Sequence, residues 1–134
     1  MAATFLLEIA TPERLLVREQ TADAQVPAGN GYVGVLPEHA PLLSELAIGE
    51  LTYLAGGRRR GLAVHGGWLE VQPDHVRVLV DRAERADEID AERARRSLER
   101  SRERLAHPAA GLDIARALNA MKRAQARLAA SSHK

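Results

Sequence analysis

The sequence predicts a β + α protein, in which a β-sandwich or barrel is followed by an antiparallel pair of helices. Every aromatic residue, valine and threonine of the 134-residue chain lies before residue 81, and the remainder is rich in Ala, Arg, Glu and Leu. The first group of residues favours strands and the second favours helices. This change of composition places the boundary near residues 81–88. We therefore predict a sandwich domain over residues 1–86 and a helical hairpin over residues 87–134.

The strand period of two residues is visible along the first part. Residues 5–9, 14–18 and 22–26 alternate in this way, with Leu15 and Val17 on one face and Leu16 on the other. Turns about every eight to twelve residues are typical of a sandwich or barrel rather than a βαβ sheet. Further strands are predicted over residues 49–54 and 62–64 around a Gly-rich turn at 56–61, and over residues 68–71 and 76–80 around Pro73-Asp74.

Two seams of residues at helical spacing predict two helices that pack together. The connection at residues 107–111 is short and contains Pro and Gly, so the helices should fold back on each other. Asp87 or Asp90 is placed to cap the first helix and Asp113 the second. Because the seams are Ala-rich and bury little area, at roughly 25 cal/mol per Å², we expect a marginal hairpin that can detach. The seams comprise Ala91, Ala94, Leu98, Ser101 and Leu105, then Ile114, Leu118, Met121, Gln125 and Leu128.

Composition and missing motifs exclude several classes of function. The chain has no cysteine, which removes disulfides, thiol nucleophiles and Cys-based zinc sites. No phosphate-binding loop, HExxH or GxSxG motif is present, and the five histidines lack ligand spacing. We therefore predict no catalytic residues and no metal site. Without a signal-peptide pattern or a run of about 18 to 20 apolar residues, we expect a protein made in the cytoplasm.

The charges are distributed unevenly along the chain. The net charge of +1 conceals −3 over residues 1–80 and +4 over residues 81–134. Each predicted helix carries one basic stripe. Three interpretations fit the two stripes: a solvated face, a polyphosphate held between the helices, or contact with an acidic protein surface. The stripes consist of Arg93, Arg96, Arg100 and Arg104, then Arg116, Arg123 and Arg127.

Three segments of the chain carry a family resemblance. They are GVLPEHAPLL at residues 34–43, GGWLEV at residues 66–71, and Ala83-Glu84 followed by Glu88-Ile89-Asp90. Together they resemble the epsilon subunit of the bacterial F-type ATP synthase. The resemblance implies a ten-stranded β-sandwich that docks on the gamma subunit and the c-ring and turns with the rotor, coupling proton flow to ATP synthesis. It also implies a peripheral position at the cytoplasmic face of the inner membrane, reached only through the complex.

The resemblance implies a regulatory role for the hairpin. In this family the hairpin lies compact against the sandwich or extends along gamma toward the beta and alpha subunits, where it blocks ATP hydrolysis. A marginal hairpin suits such a two-state element, because a few kcal/mol of differential contact changes which arrangement dominates. The residues expected to contact the beta subunit are Arg116, Lys122, Arg123 and Arg127.

The start of the first helix resembles an ATP-binding pattern of the family. Residues 89–94, IDAERA, match Ile/Leu-Asp-x-x-Arg-Ala at every defined position. The resemblance implies that ATP is a regulatory ligand and that no cofactor is required. The same spacing also allows Asp90 simply to cap the helix and to pair with Arg93. By resemblance, Ile89 and Ala94 would contact the base region, Asp90 and Glu84 the adenosine, and Arg93, Arg100, Arg123 and Arg127 the phosphates.

The family also implies where the sandwich meets its partners. Contacts with gamma and the c-ring are expected at the turn Gly29, Asn30, Gly31 and Tyr32, and at His39. Many family members carry an acidic residue where this chain has Tyr32, so the backbone and the aromatic ring would replace a charged contact. Trp68 stands where Phe is commoner, and we expect packing to absorb this change.

Two alternatives come from other classes of protein. One is a free-standing β-sandwich module that binds proteins and carries a basic helical tail, which would be found alone rather than with gamma and membranes. The other is a hairpin that binds nucleic acid, whose affinity would fall steeply with salt. The helices lack an aromatic platform, which disfavours nucleic acid.

Overall fold

The computed structural model describes residues 3–134, so the first two residues of the predicted sandwich domain lie outside the described residues. A 3-10 turn (Ala86–Glu88) separates the strands from α1 (Ala91–Ala106) and α2 (Ile114–Ser131). Within residues 3–134, no helix is both long and apolar enough to cross a bilayer. The strands are β1 (Phe5–Ala10), β2 (Leu15–Thr21), β3 (Ala24–Ala28), β4 (Gly31–Val35), β5 (Leu42–Ala55), β6 (Arg58–Val71), β7 (His75–Val80) and β8 (Ala83–Arg85).

The strands form one hydrogen-bonded sheet that folds over into two layers, which confirms the predicted sandwich. The strand order is β2-β1-β7-β6-β5-β3-β4, and β8 pairs with β6. The carboxyl-terminal half of β6 pairs with β7 in the first layer, and its amino-terminal half pairs with β8 in the second. Strand β5 follows β6 through both layers. One buried, mainly aliphatic core fills the space between them.

Two glycines allow β6 to pass from one layer to the other. Gly66 and Gly67 have φ angles of +87° and +130°, a region that favours glycine. A Cβ at Gly67 would lie 2.0 Å from the carbonyl oxygen of Leu79. Because the strands bend there without ending, β5 and β6 are each 14 residues long. The expected count of ten strands is therefore not confirmed: the described residues form eight, and only dividing both long strands would give ten.

The turn between β5 and β6 is shorter than predicted. Only Gly56 and Gly57 lie between the strands, both with positive φ, as a tight two-residue hairpin requires. Residues 58–61, predicted to belong to the turn, pair with β5 instead. Pairing satisfies the backbone groups of these residues, which a longer loop would leave to water.

The predicted facing of β2 is wrong at its first residue. Leu15 is exposed, whereas Leu16 and Val17 are both buried. The pairing of β1 with β2 is irregular here, because Ile9 pairs with Val17 but Ala10 pairs with Leu15. In such a β-bulge, one strand has an extra residue without a partner on the other strand. The side chain next to it therefore points to the other face of the sheet.

Aspartate side chains cap both helices. Oδ1 of Asp90 accepts a 3.1 Å hydrogen bond from the backbone N–H of Arg93, and Asp113 does the same for Arg116 at 3.1 Å. Asp87, the other candidate cap, lies within the 3-10 turn.

The seam predicted for α1 is confirmed, whereas the seam predicted for α2 is wrong at Ile114, Leu118 and Gln125 and half-buried at Met121 and Leu128. The buried residues of α1 are Ala94, Leu98 and Ser101. In α2, Ile114 and Leu118 are exposed. Because α2 lies between α1 and the sheet, it must approach two neighbours closely, and alanine permits that approach. The buried residues of α2 are Ala117, Ala124, Ala126 and Ala130.

Candidate ligand and partner sites

A polar cluster joins α2 to the second layer of the sandwich. Nε of Arg127 donates to Oε1 of Glu84 at 2.6 Å, and Nε2 of His65 lies 3.4 Å from the same oxygen. The pairing of β8 with β6 brings Glu84 and His65 together. An open groove of about 330 Å³ borders Glu84 and Arg127 and continues to Arg14 and Arg82. This cluster therefore holds α2 at the edge of an open groove.

His65 is the buried titratable group of this cluster. Burial lowers the pKa of its imidazole, and the charge of Arg127, with a smaller contribution from Arg123, lowers it further, while Glu84 opposes the shift. Nδ1 of His65 is buried without a hydrogen-bond partner among residues 3–134. The folded state therefore favours the neutral imidazole, since a buried cation would lack solvation.

The structure brings together part of the predicted ATP site. Glu84 and Arg127 form an ion pair, and Arg123 lies close enough to lower the pKa of His65 beside them. Asp90 lies at the start of α1, where one carboxylate oxygen is the helix cap. The alternative interpretation of Asp90 as a cap thus describes its contact in this structure.

The two apolar residues of the predicted ATP site are packed inside the protein. Ile89 and Ala94 are each 3% exposed. Ile89 packs with Ala63 of β6 and with Ala126 and Ala130 of α2. In this arrangement the two side chains fix α1 to its neighbours and present little surface to a base.

The remaining arginines of the predicted ATP site are exposed on α1. Arg93 and Arg100 both lie on the solvent side, and Nη2 of Arg100 is 3.5 Å from Oγ of Ser97. Among the described residues, neither guanidinium forms an ion pair with Glu84, which Arg127 already occupies. A bound polyanion would have to draw the arginines of the two helices together.

The residues predicted to contact the beta subunit divide into two kinds. Arg116 and Lys122 of α2 are exposed, whereas Arg123 and Arg127 are partly covered beside the sandwich. Only the first two present their side chains fully to solvent while the hairpin is docked.

An exposed apolar row crosses the outer face of the first layer. Trp68 pairs with Leu79, Leu79 with Ala10, and Ala10 with Leu15. Paired residues share a face, and Trp68, Leu79 and Leu15 are 53%, 51% and 53% exposed. We call these four residues the apolar row. The expectation that packing absorbs Trp68 is wrong, because β6 directs it away from the core.

Sequence reasoning missed the apolar row, although one signal was present. The strand over residues 76–80 has apolar residues on both faces, with Val76, Val78 and Val80 buried and Leu79 exposed. A strand with two apolar faces needs two partners. The remaining members are brought in only by pairing with β1, β2 and β6.

The residues predicted to contact gamma and the c-ring lie at two places. Gly29 and Asn30 form the turn between β3 and β4, and the N–H of Gly29 donates to the carbonyl of Glu45 at 2.9 Å. Glu45 pairs with Trp68, so this turn adjoins the end of the apolar row. His39 follows the other end of the five-residue strand β4, which separates it from the turn.

Tyr32 joins the turn to β5. Its phenol oxygen accepts the N–H of Glu50 at 3.1 Å, although the side chain is 61% exposed. A Cβ on Gly49 would lie 2.9 Å from this oxygen and 2.8 Å from Pro27, so glycine makes room for the contact. Gly31 has a φ of +121° and completes the turn. The hydroxyl is thus fixed while one face of the ring stays open to solvent.

Known proteins are similar to this chain along its whole length. Residues 4–86 match the family described as ATP synthase, Delta/Epsilon chain, beta-sandwich domain, and residues 87–132 match the long alpha-helix domain of the same chain. An ATP synthase epsilon chain of Solibacter usitatus is 60% identical over 134 residues, covering 100% of both chains. One of Moorella thermoacetica is 48% identical over 130 residues, covering 96% of this chain and 97% of the relative.

Solved structures agree with this similarity. A chain in the cryo-EM structure of the Euglena gracilis mitochondrial ATP synthase, OSCP/F1/c-ring, matches with a TM-score of 0.80 and 25% identity, covering 98% of this chain and 82% of that one. A sandwich followed by a helical hairpin matches the two domains of this family, and exposed apolar patches often mark interaction sites. The chain belongs to the ATP synthase epsilon chain family, whose members are non-catalytic subunits.

The lowered pKa of His65 predicts a loss of stability in mild acid. Below the unfolded-state pKa of 6.5, the unfolded chain binds a proton that the folded chain resists, so the free energy of unfolding falls as pH drops. His65→Gln should reduce this loss as the pH falls below 6.5, where one titrating group changes the free energy of unfolding by at most about 1.4 kcal/mol per pH unit, and urea unfolding measures the change. His107→Gln, at an exposed histidine, should keep the original dependence. Equal slopes for the two variants would contradict the prediction.

Proposed function

We propose that this chain is a rotor subunit in the central stalk of a bacterial F-type ATP synthase, where it helps to couple proton flow to ATP synthesis. The observation that carries the proposal is the apolar row. Its three large side chains are exposed along one face of the sheet, as expected of a docking surface. The gamma subunit is the partner that we propose for this surface, and the c-ring is the partner for the adjoining turn at residues 29–32.

The residues beside the apolar row support a docking role. On the next row of the same face, Glu8 lies 3.5 Å from Arg18 and 3.9 Å from Arg77. An apolar centre with a paired, polar rim is the usual anatomy of a protein interface. Docked in this way, the chain would be peripheral at the cytoplasmic face of the membrane and would meet the bilayer only through the complex.

We further propose that the hairpin leaves the sandwich and inhibits ATP hydrolysis. Helix α1 packs mainly on α2, and α2 meets the sheet mainly through the small side chains Ala126 and Ala130. Each buried methyl or methylene contributes only about 0.8 kcal/mol, so a few new contacts elsewhere can compensate for undocking. Undocking also frees Arg127 from Glu84 and exposes Arg123, which would add two charges to Arg116 and Lys122 on a surface for the beta and alpha subunits.

ATP is the ligand that we propose for the compact hairpin. The family pattern assigns Glu84 to the adenosine and Arg127 to the phosphates, so binding would have to separate the ion pair between these residues. Three or four guanidinium groups on a triphosphate compensate for that loss. At one hundred times its dissociation constant, ATP would stabilise the compact form by about 2.7 kcal/mol.

Charge placed in the apolar row should prevent assembly. Leu79→Asp removes an exposed leucine that docking on gamma would bury and places a carboxylate there that docking would desolvate, so affinity for gamma should fall at least about tenfold. The measurement is co-purification of gamma with the tagged chain. Leu54→Asp, at an exposed leucine outside the row, is the matched control. Normal recovery of gamma with Leu79→Asp would exclude the row as the docking surface.

Reversing the exposed charges of α2 should relieve inhibition. Arg116→Glu combined with Lys122→Glu would repel an acidic partner without touching the docked interface, so ATP hydrolysis by the reconstituted complex should rise several-fold. Arg95→Glu with Arg102→Glu makes the same change on exposed positions of α1 and should leave hydrolysis unchanged. An equal rise for both pairs would show that net charge, rather than this surface, sets inhibition.

Titration of the chain with ATP should depend on Arg93. Saturable amide shifts within residues 84–127 are expected by NMR, and Arg93→Ala should weaken binding about tenfold or more because a charge-assisted hydrogen bond contributes about 1.5–3 kcal/mol. Arg102→Ala, on the same helix but outside the pattern, should bind as the original chain does. If no shift occurs up to millimolar ATP, Asp90 is only a helix cap and the ATP proposal fails.

A further inference from the structure

The carboxyl terminus of the chain closes onto the sandwich beyond the end of α2. The imidazole of His133 lies over Gly61 of β6, and its Nε2 is 3.2 Å from Oε2 of Glu50 on β5. The two side chains are in close contact but do not form an aligned hydrogen bond, since Oε2 of Glu50 has no hydrogen-bond partner among residues 3–134. The last turn of the hairpin therefore presses on the same strands that Ala126 and Ala130 cover.

Gly61 provides the space that the His133 ring occupies. A Cβ at this position would lie 2.9 Å from Cδ2 of His133 and 3.1 Å from Oε2 of Glu50. Gly61 is not among the residues with positive φ, so its backbone conformation does not require glycine. The absence of a side chain at position 61 is therefore explained by room for the histidine.

Lys134 makes two further contacts, one through its side chain and one through its main chain. Its Nζ donates to the carbonyl oxygen of Ile89 at 3.0 Å, just before α1. Its own carbonyl oxygen accepts a 3.1 Å hydrogen bond from Nη2 of Arg58 on β6. The terminus thus bridges the sandwich and the start of the hairpin.

Glu50 is the partly buried acidic group that His133 contacts. Burial raises the pKa of Glu50, whereas the charges of His133 and Arg59 lower it. Backbone N–H of Glu50 already donates to Tyr32, so the strand is held in place there. Removing His133 while the hairpin stays docked would leave the partly buried carboxylate of Glu50 without the imidazole that lies 3.2 Å from it.

We propose that the contacts of His133 and Lys134 hold the hairpin in its compact state, and that Gly61 provides the space that the His133 ring needs. We call these contacts of residues 133 and 134 the latch. The latch regulates the hairpin movement proposed above and therefore rests on that movement. Because the contacts lie beyond the end of α2 at Ser131, the latch can open before α2 separates from the sheet. A substitution at residue 133 or 134 would therefore change the fraction of molecules whose hairpin is undocked.

The test uses thiol reactivity, because the chain has no cysteine of its own. Ala63→Cys places one thiol beneath α2, at a residue with 0% exposure, so its reaction rate with excess thiol reagent reports undocking. Ala24→Cys, also at 0% exposure but in the sandwich core, reports global unfolding. The two thiols are measured in separate full-length chains that carry the same latch variants.

Gly61→Ala and His133→Ala should each raise the reaction rate at position 63 about threefold to tenfold, the effect of losing one ordinary polar contact. The double variant should react no faster than the faster single variant, since an alanine at position 61 has nothing left to displace. The rate at position 24 should not change. His107→Ala, at an exposed histidine in the helix connection, should behave as the original chain does.

Two results would overturn the latch. An unchanged rate at position 63 in Gly61→Ala, or single effects that multiply in the double variant, would show that Gly61 and His133 act independently. Failure of the underlying movement has a different signature: the thiol at position 63 would react no faster than the one at position 24, so the hairpin would undock only when the whole chain unfolds. That outcome removes the mobile hairpin and the latch together.

Discussion

The bend of β6 at Gly66 and Gly67 is the constraint on which the rest of the molecule depends. Without a Cβ at Gly67, the backbone can approach the carbonyl of Leu79 and β6 can continue into the second layer. Both layers are thereby closed by the same pair of strands, so no separate strands are needed to join them. One core then serves both layers, and each layer keeps one outer face for another task.

The outer faces of the two layers carry side chains of different size. On the second layer, Ala63 meets the alanines of α2, which allow close approach but bury little area. On the first layer, the apolar row presents Trp68, Leu79 and Leu15 to solvent. The small side chains suit a contact that opens, and the large ones suit a contact that remains. In the function that we propose, the same sandwich holds a permanent partner on one face and a detachable hairpin on the other.

The cluster of Glu84, His65 and Arg127 lies between α2 and the second layer of the sandwich. It fixes α2 to the second layer and also contains residues that the family resemblance assigns to ATP. The side chains of this ion pair are each 31% exposed, so the pair is partly solvated and contributes only modestly to stability. Regulation through this cluster would require no rearrangement of the sandwich.

The sequence by itself determined the order of domains, the helix cap at Asp113, the α1 seam and the family, and it narrowed the cap of α1 to Asp87 or Asp90, because these depend on local periodicity, capping chemistry and contiguous motifs. Only the tertiary structure decided the bulge that turns Leu15 outward, the alanine faces of α2, the apolar row and the seat of His133 on Gly61. Each of these depends on which strand or helix lies alongside, and residues such as His133 and Gly61 are far apart in the chain. Local pattern cannot specify a contact whose two halves become neighbours only when the sheet has folded over and the hairpin has closed.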